Sequence, residues 1–135
     1  MMNENNPQVV DLFTRKSHHR NCSSIYLVQI LFHRSAGHRT LHLNAHYLAI
    51  FKSPRDIGQI AVLERQMFPG KKNYLVKSYE DACEKPYMYL FIDLKQQTPF
   101  HLRVRGDILN PSGQTVYLPL NYKIPCKFDS HQLHM

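Results

Sequence analysis

Nine histidines, three cysteines and a set of arginines and lysines hold most of the chemistry open to this chain. His38, His42 and His46 recur every fourth residue, and His18-His19 lies upstream. On a helix that spacing aligns side chains on one face, as metal ligands require. Leu41, Leu43 and Asn44 give the window little helical period, however, and no Cys or carboxylate supplies a convincing fourth ligand. Histidines at surfaces and strand ends are the favoured reading, and no metal site is expected. Cys22 follows His18 and His19, the pairing a cysteine nucleophile would use, but no third group is placed to orient the base. A small buried cysteine at the start of a strand is the simpler expectation. Cys22, Cys83 and Cys126 are odd in number and widely spaced, so neither a disulfide framework nor a zinc ribbon is indicated. A reducing, intracellular compartment (cytoplasm or nucleus) follows.

The cations say more. Seventeen Lys and Arg against ten Asp and Glu leave a formal charge of +7, which attracts polyanions, nucleic acid above all. Arg15, Lys16, Arg20, Arg34, Arg39, Lys52 and Arg55 fall at element ends and in loops, where one edge of a sheet would gather them. Contact with phosphate and a merely solvated face both fit that set. Gln29 directly follows the apolar run Ser24–Val28, so its amide either meets a partner or lies at the sheet edge. Ligands of open α/β sheets bind at the carboxyl ends of strands, which is the position Gln29 would hold. Neither a Gly-x-x-x-x-Gly-Lys-[Ser/Thr] loop nor a Gly-x-Gly-x-x-Gly loop occurs in the sequence.

The elements that must position these groups follow from period and punctuation. Asn6-Pro7 starts a helix carrying Val9, Leu12 and Phe13 as its apolar stripe, and the polar run from Arg15 to Arg20 closes it. Ser24–Val28 and His46–Phe51 read as strands buried on both faces, with a polar loop from Phe32 to Thr40 between them. Asp56 is a fair cap for a helix bearing Ile57, Ile60, Ala61, Leu63 and Met67, which stops at Pro69-Gly70. A helix over Asn73–Cys83 and a strand over Tyr87–Leu94 follow. Phe100–Arg105 then alternates as a half-exposed or edge strand does. That order predicts an α/β sheet with flanking helices and at least partly parallel strands. From Asn110 onward the period fades, which predicts an irregular tail or an added hairpin over residues 110–135.

Three blocks, NENNPQVVDLFTRKSHHRNCSSIYLVQILF, HRTLHLNAHYLAIFKSPRD and KPYMYLFIDLKQQTP, together resemble the C-terminal half of a viral DNA-packaging ATPase. The type is the FtsK–HerA group of P-loop motors, of the poxvirus-like and Polinton/Maverick kind. The resemblance covers about residues 1–109. It implies part of a P-loop (RecA-like) sheet without the Walker A strand and loop, with the Walker B acids expected just before Met2-Asn3-Glu4. It implies ATP and Mg²⁺ as cofactors of the intact motor, and double-stranded DNA, a viral capsid and a homo-oligomeric ring as partners. Gln29 matches the polar sensor that reports γ-phosphate loss. Val28 and Ile30 stand where the family commonly places Thr and Asn. Arg20 or Arg39 would be a finger reaching a neighbouring subunit's nucleotide, and Glu4 would stand near the attacking water. Arg34, Arg39, Lys52 and Arg55 would face nucleic acid.

One domain at most fits in 135 residues, which is short for a complete nucleotide-driven motor. No apolar window is long enough to cross a bilayer, and the N-terminus carries no secretory pattern, so no membrane partner is expected. The leading expectation is a fragment of a packaging motor, inactive alone because the phosphate loop and Walker B acids are absent. The alternatives are a non-catalytic basic module that binds nucleic acid and a degenerate mobile-element relic.

Overall fold

The computed structural model describes residues 6–32, 36–55 and 57–123. Asn6 starts the chain's first helix as the sequence requires. Its Oδ1 accepts the Gln8 amide at 2.9 Å, and Pro7 occupies the first turn of α1 (Pro7–Asp11). The coil widens into a π turn over Leu12–Lys16 and tightens again in α2 (Ser17–Arg20). Two hydroxyls compete for carbonyls along this stretch: Thr14 Oγ1 donates to the Val10 carbonyl and Ser17 Oγ to that of Phe13. Asn21, with φ at 49°, takes the left-handed conformation that ends the helix.

A second helix, α3 (Ala36–Asn44), occupies part of the segment expected to be a polar loop. Leu41 is its one buried apolar residue, set where α3 meets α1 and the buried Val9. A single inward position gives no readable period, which is why the sequence pattern missed this helix.

Beyond it lies the body of the fold. Strand β1 (Tyr47–Phe51) leads into α4 (Ile57–Met67) and α5 (Tyr74–Ala82), and the chain returns as β2 (Tyr89–Asp93). A 3₁₀ turn (Phe100–Leu102) precedes β3 (Val104–Gly106), and β4 (Thr115–Val116) follows. The sheet order is β1-β2-β3-β4, and every neighbouring pair is antiparallel. The architecture is therefore mixed α/β with flanking helices, and the expectation of partly parallel strands is corrected. Two helices separate β1 from β2, so the chain crosses the sheet twice and comes back antiparallel. The links from β2 to β4 are too short for the crossover that a parallel neighbour needs.

Alternation decides what the sheet buries. Leu48, Ile50, Leu90, Ile92 and Val104 point to the helices, where they meet Ile60, Leu63, Phe68, Leu75, Tyr79 and Cys83. Leu75, Leu90, Ile92 and Val104 retain no exposed surface, and each such side chain contributes about 1.5–3 kcal/mol by leaving water. Glu64 joins the two helices. Its buried carboxylate accepts the backbone amides of Asn73 at 2.8 Å, Leu75 at 2.7 Å and Val76 at 3.2 Å. Those are first-turn amides of α5, which have no partner within their own helix.

Residues past Asn110 join the same sheet as far as they are described. The Tyr117 amide donates to the Val104 carbonyl, and its hydroxyl donates to Asp81 Oδ2 at 2.7 Å. Gly106 permits this approach, because a Cβ there would sit 3.3 Å from the Tyr117 ring. With β4 alongside it, β3 is an interior strand, so of the two expected readings, half-exposed or edge, the edge is corrected. Among the described residues β1 and β4 bound the sheet.

Ser24–Val28 departs furthest from expectation. It forms no strand and joins no ladder, and Ile25 and Leu27 stand almost wholly in water. Cys22 is likewise exposed rather than buried.

Candidate functional site

β1 is the strand around which the candidate residues collect. The Leu94 amide bonds to the His46 carbonyl, and the register pairs Leu48 with Ile92 and Ile50 with Leu90. Antiparallel alternation therefore turns the backbone groups of Tyr47, Ala49 and Phe51 away from β2, toward the free edge.

At the carboxyl end of β1 lies a small pocket of ≈ 180 Å³. Gln29, Lys52, Ser53, Gln59 and Tyr79 supply its polar lining. Three local hydrogen-bond arrangements shape it. Tyr79 Oη accepts the Ser53 amide at 2.7 Å and donates to the Phe51 carbonyl at 3.1 Å. Gln59 Oε1, on α4, accepts the Phe32 amide at 3.0 Å and ties the end of the Gln29 segment to the helix. Lys52 Nζ reaches across to the Glu84 carbonyl at 3.1 Å while remaining exposed. An amide, an ammonium and a hydroxyl around so small a volume suit a single oxyanion such as a phosphoryl group. A whole nucleoside triphosphate needs a larger cleft. None of the described residues lining the pocket is a carboxylate.

Of the residues singled out in the sequence, the structure brings Gln29 and Lys52 together. Arg20 is exposed at the end of α2 and Arg39 is exposed on α3, and neither lines this pocket. Arg55 is exposed in the turn after β1. Lys16 pairs with Asp11 at 3.1 Å on the surface of the first helical segment. Glu4, Arg34, Asp56 and Cys126 lie outside the described residues. His42, on α3, packs its ring against Phe32 with centroids 5.1 Å apart, and His46 falls beyond the helix end. Among the described residues no group of three His, Cys, Asp or Glu side chains is arranged to hold a metal ion. Buried Cys83 points its thiol at the Ile50 and Met88 carbonyls, and burial pushes its pKa above the usual thiol value. That disfavours the thiolate a nucleophile would need.

Sequence reasoning missed a second feature, the sheet face turned away from the helices. Tyr47 and Phe51 on β1 and Tyr89 and Phe91 on β2 share that face, with centroids 5.4 Å apart for Tyr47–Phe91 and 5.5 Å for Phe51–Tyr89. Lys95 Nζ lies 4.6 Å from the Tyr47 ring centroid, and the Arg105 guanidinium carbon 5.2 Å from that of Phe91. Beside this face runs a groove of ≈ 650 Å³ whose far wall includes Phe13 and Tyr26. The signal was present as Tyr47 and Phe51 at the two ends of β1, with Ala49 between them, and as Tyr89 and Phe91 on β2. It was obscured by reading His46–Phe51 as buried on both faces.

No helix among the described residues is long and apolar enough to cross a membrane. No family model, curated protein or solved structure matches the chain.

Proposed function

We propose that this chain supplies the phosphate-sensing side of an FtsK–HerA-type DNA-packaging ATPase domain and does not turn over ATP by itself. The observation that carries the reading is the meeting of Gln29 and Lys52 in one phosphate-sized pocket at the carboxyl end of β1. In this reading the Gln29 amide contacts the terminal phosphoryl group or the water that attacks it. Lys52 offsets part of the negative charge, and Ser53 adds a hydroxyl donor. Mg²⁺ and the remaining phosphates fall to Walker residues that this sequence does not contain. Among the described residues β1 has no neighbour on one side and Ser24–Val28 joins no ladder, which accords with a sheet that is completed by further strands. Double-stranded DNA, a ring of like subunits and a capsid are the partners this reading implies. The arginine finger is left to Arg20 or Arg39, both exposed on helices and free to face a neighbouring subunit.

The test has two arms. Coding sequence immediately upstream of Met1 should encode in-frame Walker A and Walker B motifs, and stop codons there would make the chain a relic. In the longer protein, Gln29→Ala should lower kcat about 10²-fold with little change in KM for ATP, as loss of a transition-state donor does. The 135-residue chain alone should show no turnover above its own Gln29→Ala control. Turnover above that control would overturn the claim that it is inactive by itself.

A further inference from the structure

We propose that the open face of the sheet binds a single strand of nucleic acid, with bases stacked on Tyr47, Phe51 and Phe91 and phosphates held by Lys95 and Arg105. This site is separate from the Gln29 pocket and does not depend on the packaging reading.

The argument starts from register. Tyr47 lies opposite Asp93, Phe51 opposite Tyr89, Phe91 opposite Arg105 and Arg105 opposite Val116, so these side chains stand on one face across all four strands. Helices α4 and α5 take the other face; among the described residues Tyr47 and Phe51 stay exposed on this one, while Asp93 is buried and Phe91 borders the groove that Phe13 and Tyr26 help to line. Tyr47 keeps 46% of its surface and Phe51 keeps 56%. Rings on β1 and β2 form a strip about 14 Å long at ordinary strand rise, from Tyr47 to Phe51, and about two strands wide. Any base can stack on such a ring, because every base has a π face.

Charge selects the occupant. Lys95 and Arg105 lie over the Tyr47 and Phe91 rings, so an incoming base takes the place of each cation on its π face and the cation turns out to the adjoining phosphate. Among the described strand residues Asp93 is the one carboxylate on this face, and the protein occupies it. Its Oδ1 accepts the Lys95 amide at 3.0 Å, and its Oδ2 faces Arg105 at 3.7 Å. Arg105 is incompletely used: Nη1 donates to Gln114 at 3.3 Å, while its buried Nε has no hydrogen-bond partner. An apolar peptide would offer nothing to the Lys95 ammonium, whereas a polyanion matches it and the net charge of +7. A duplex would not serve, since its base faces are hidden within the stack. The groove beside Tyr47 and Phe51, with Phe13 and Tyr26 on its far wall, gives unstacked bases an apolar recess.

Fluorescence anisotropy of the 135-residue chain with fluorescein-labelled oligo(dT), and with a blunt duplex of equal length, tests the proposal without any nucleotide cofactor. Oligo(dT) should bind more tightly than the duplex and lose affinity as salt rises. Tyr47→Leu and Phe91→Leu keep apolar bulk but remove the π face, and each should weaken oligo(dT) binding at least about fivefold. Tyr47→Phe should bind like the parent. Equal affinity for both probes, or Leu variants that bind as the parent does, would overturn the proposal in favour of plain surface charge. Absence of oligo(dT) binding would also overturn it and leave the face to a protein partner. Should a Leu variant fail to fold, photo-crosslinking of a bromouracil-substituted strand to the parent chain decides. Adducts on the Tyr47, Phe51 or Phe91 peptides support the site, and adducts confined to α2 or α3 sink it.

Discussion

From Ile60 to Val104 most apolar side chains converge on one core, whereas from Cys22 to Ile30 they stand beside the body of the fold without entering it. Leu75, Leu90 and Ile92 have no exposed surface, while Ile25 and Leu27 keep 88% and 86% of theirs. Composition does not separate the two regions, since Ile25-Tyr26-Leu27-Val28 is as rich in strand formers as Tyr89-Leu90-Phe91-Ile92. What separates them is the neighbour. β2 has a ladder on both sides and two helices beneath it, and the earlier run has neither. A strand exists through its pairing, so an apolar run that joins no ladder stays outside the sheet and wet.

The largest expected effect strikes the region that has its partners. Glu64→Ala removes one carboxylate and strands three amides at the start of α5, so unfolding in urea should show a loss of about 3 kcal/mol. A loss under about 1 kcal/mol would mean that water serves those amides equally well.

A middle-sized effect belongs to the seam between α5 and the residues after β4. The hydroxyl of Tyr74 donates to the Tyr117 carbonyl and that of Tyr117 to Asp81. Both phenols are held well above their ordinary pKa near 10. Burial is the main cause for each, joined by Tyr122 for Tyr74 and by Asp81 for Tyr117. A raised folded pKa means the stability they lend is complete below the unfolded value and is lost as pH climbs through the folded one. Stability should therefore hold to about pH 10 and fall above it. Tyr117→Phe should cost about 1 kcal/mol at neutral pH and make the alkaline fall shallower, as read from urea midpoints across that range. An unchanged alkaline slope would place the pH sensitivity elsewhere.

The smallest effect is the sharpest probe of the contrast. Ile25→Ser and Leu27→Ser remove apolar groups that already face water, so each should move stability by no more than about 0.5 kcal/mol. The same exchange at Ile92 would be severe. A cost above about 1.5 kcal/mol at Leu27 would show the segment packed in solution and abolish the distinction between the regions.

Legibility in the sequence followed the same division. Helices α4 and α5 and strands β1 and β2 were readable because their apolar periods are answered within the chain. The Asn6 cap was readable because it is local, the whole interaction spanning two residues. Helix α3 was not, having one buried side chain to announce it. Gln29 could be singled out from its place after an apolar run, but its proximity to Lys52 could not, since 22 intervening residues must first fold. Lys95 and Arg105 passed unnoticed because neither belongs to a motif, and only the register of β1, β2 and β3 sets them over aromatic rings.

By itself the sequence determined the period of each well-partnered element, the excess of positive charge and the lack of any phosphate-cradling loop. Those properties are local or additive, so they survive without coordinates. Tertiary structure alone decided that the sheet is antiparallel, that its aromatic face is open, and that Gln29 stands by Lys52 while Arg20 and Arg39 stand apart. Such facts depend on how many helices separate two strands and on which partner is present to accept a hydrogen bond. No window of neighbouring residues contains either.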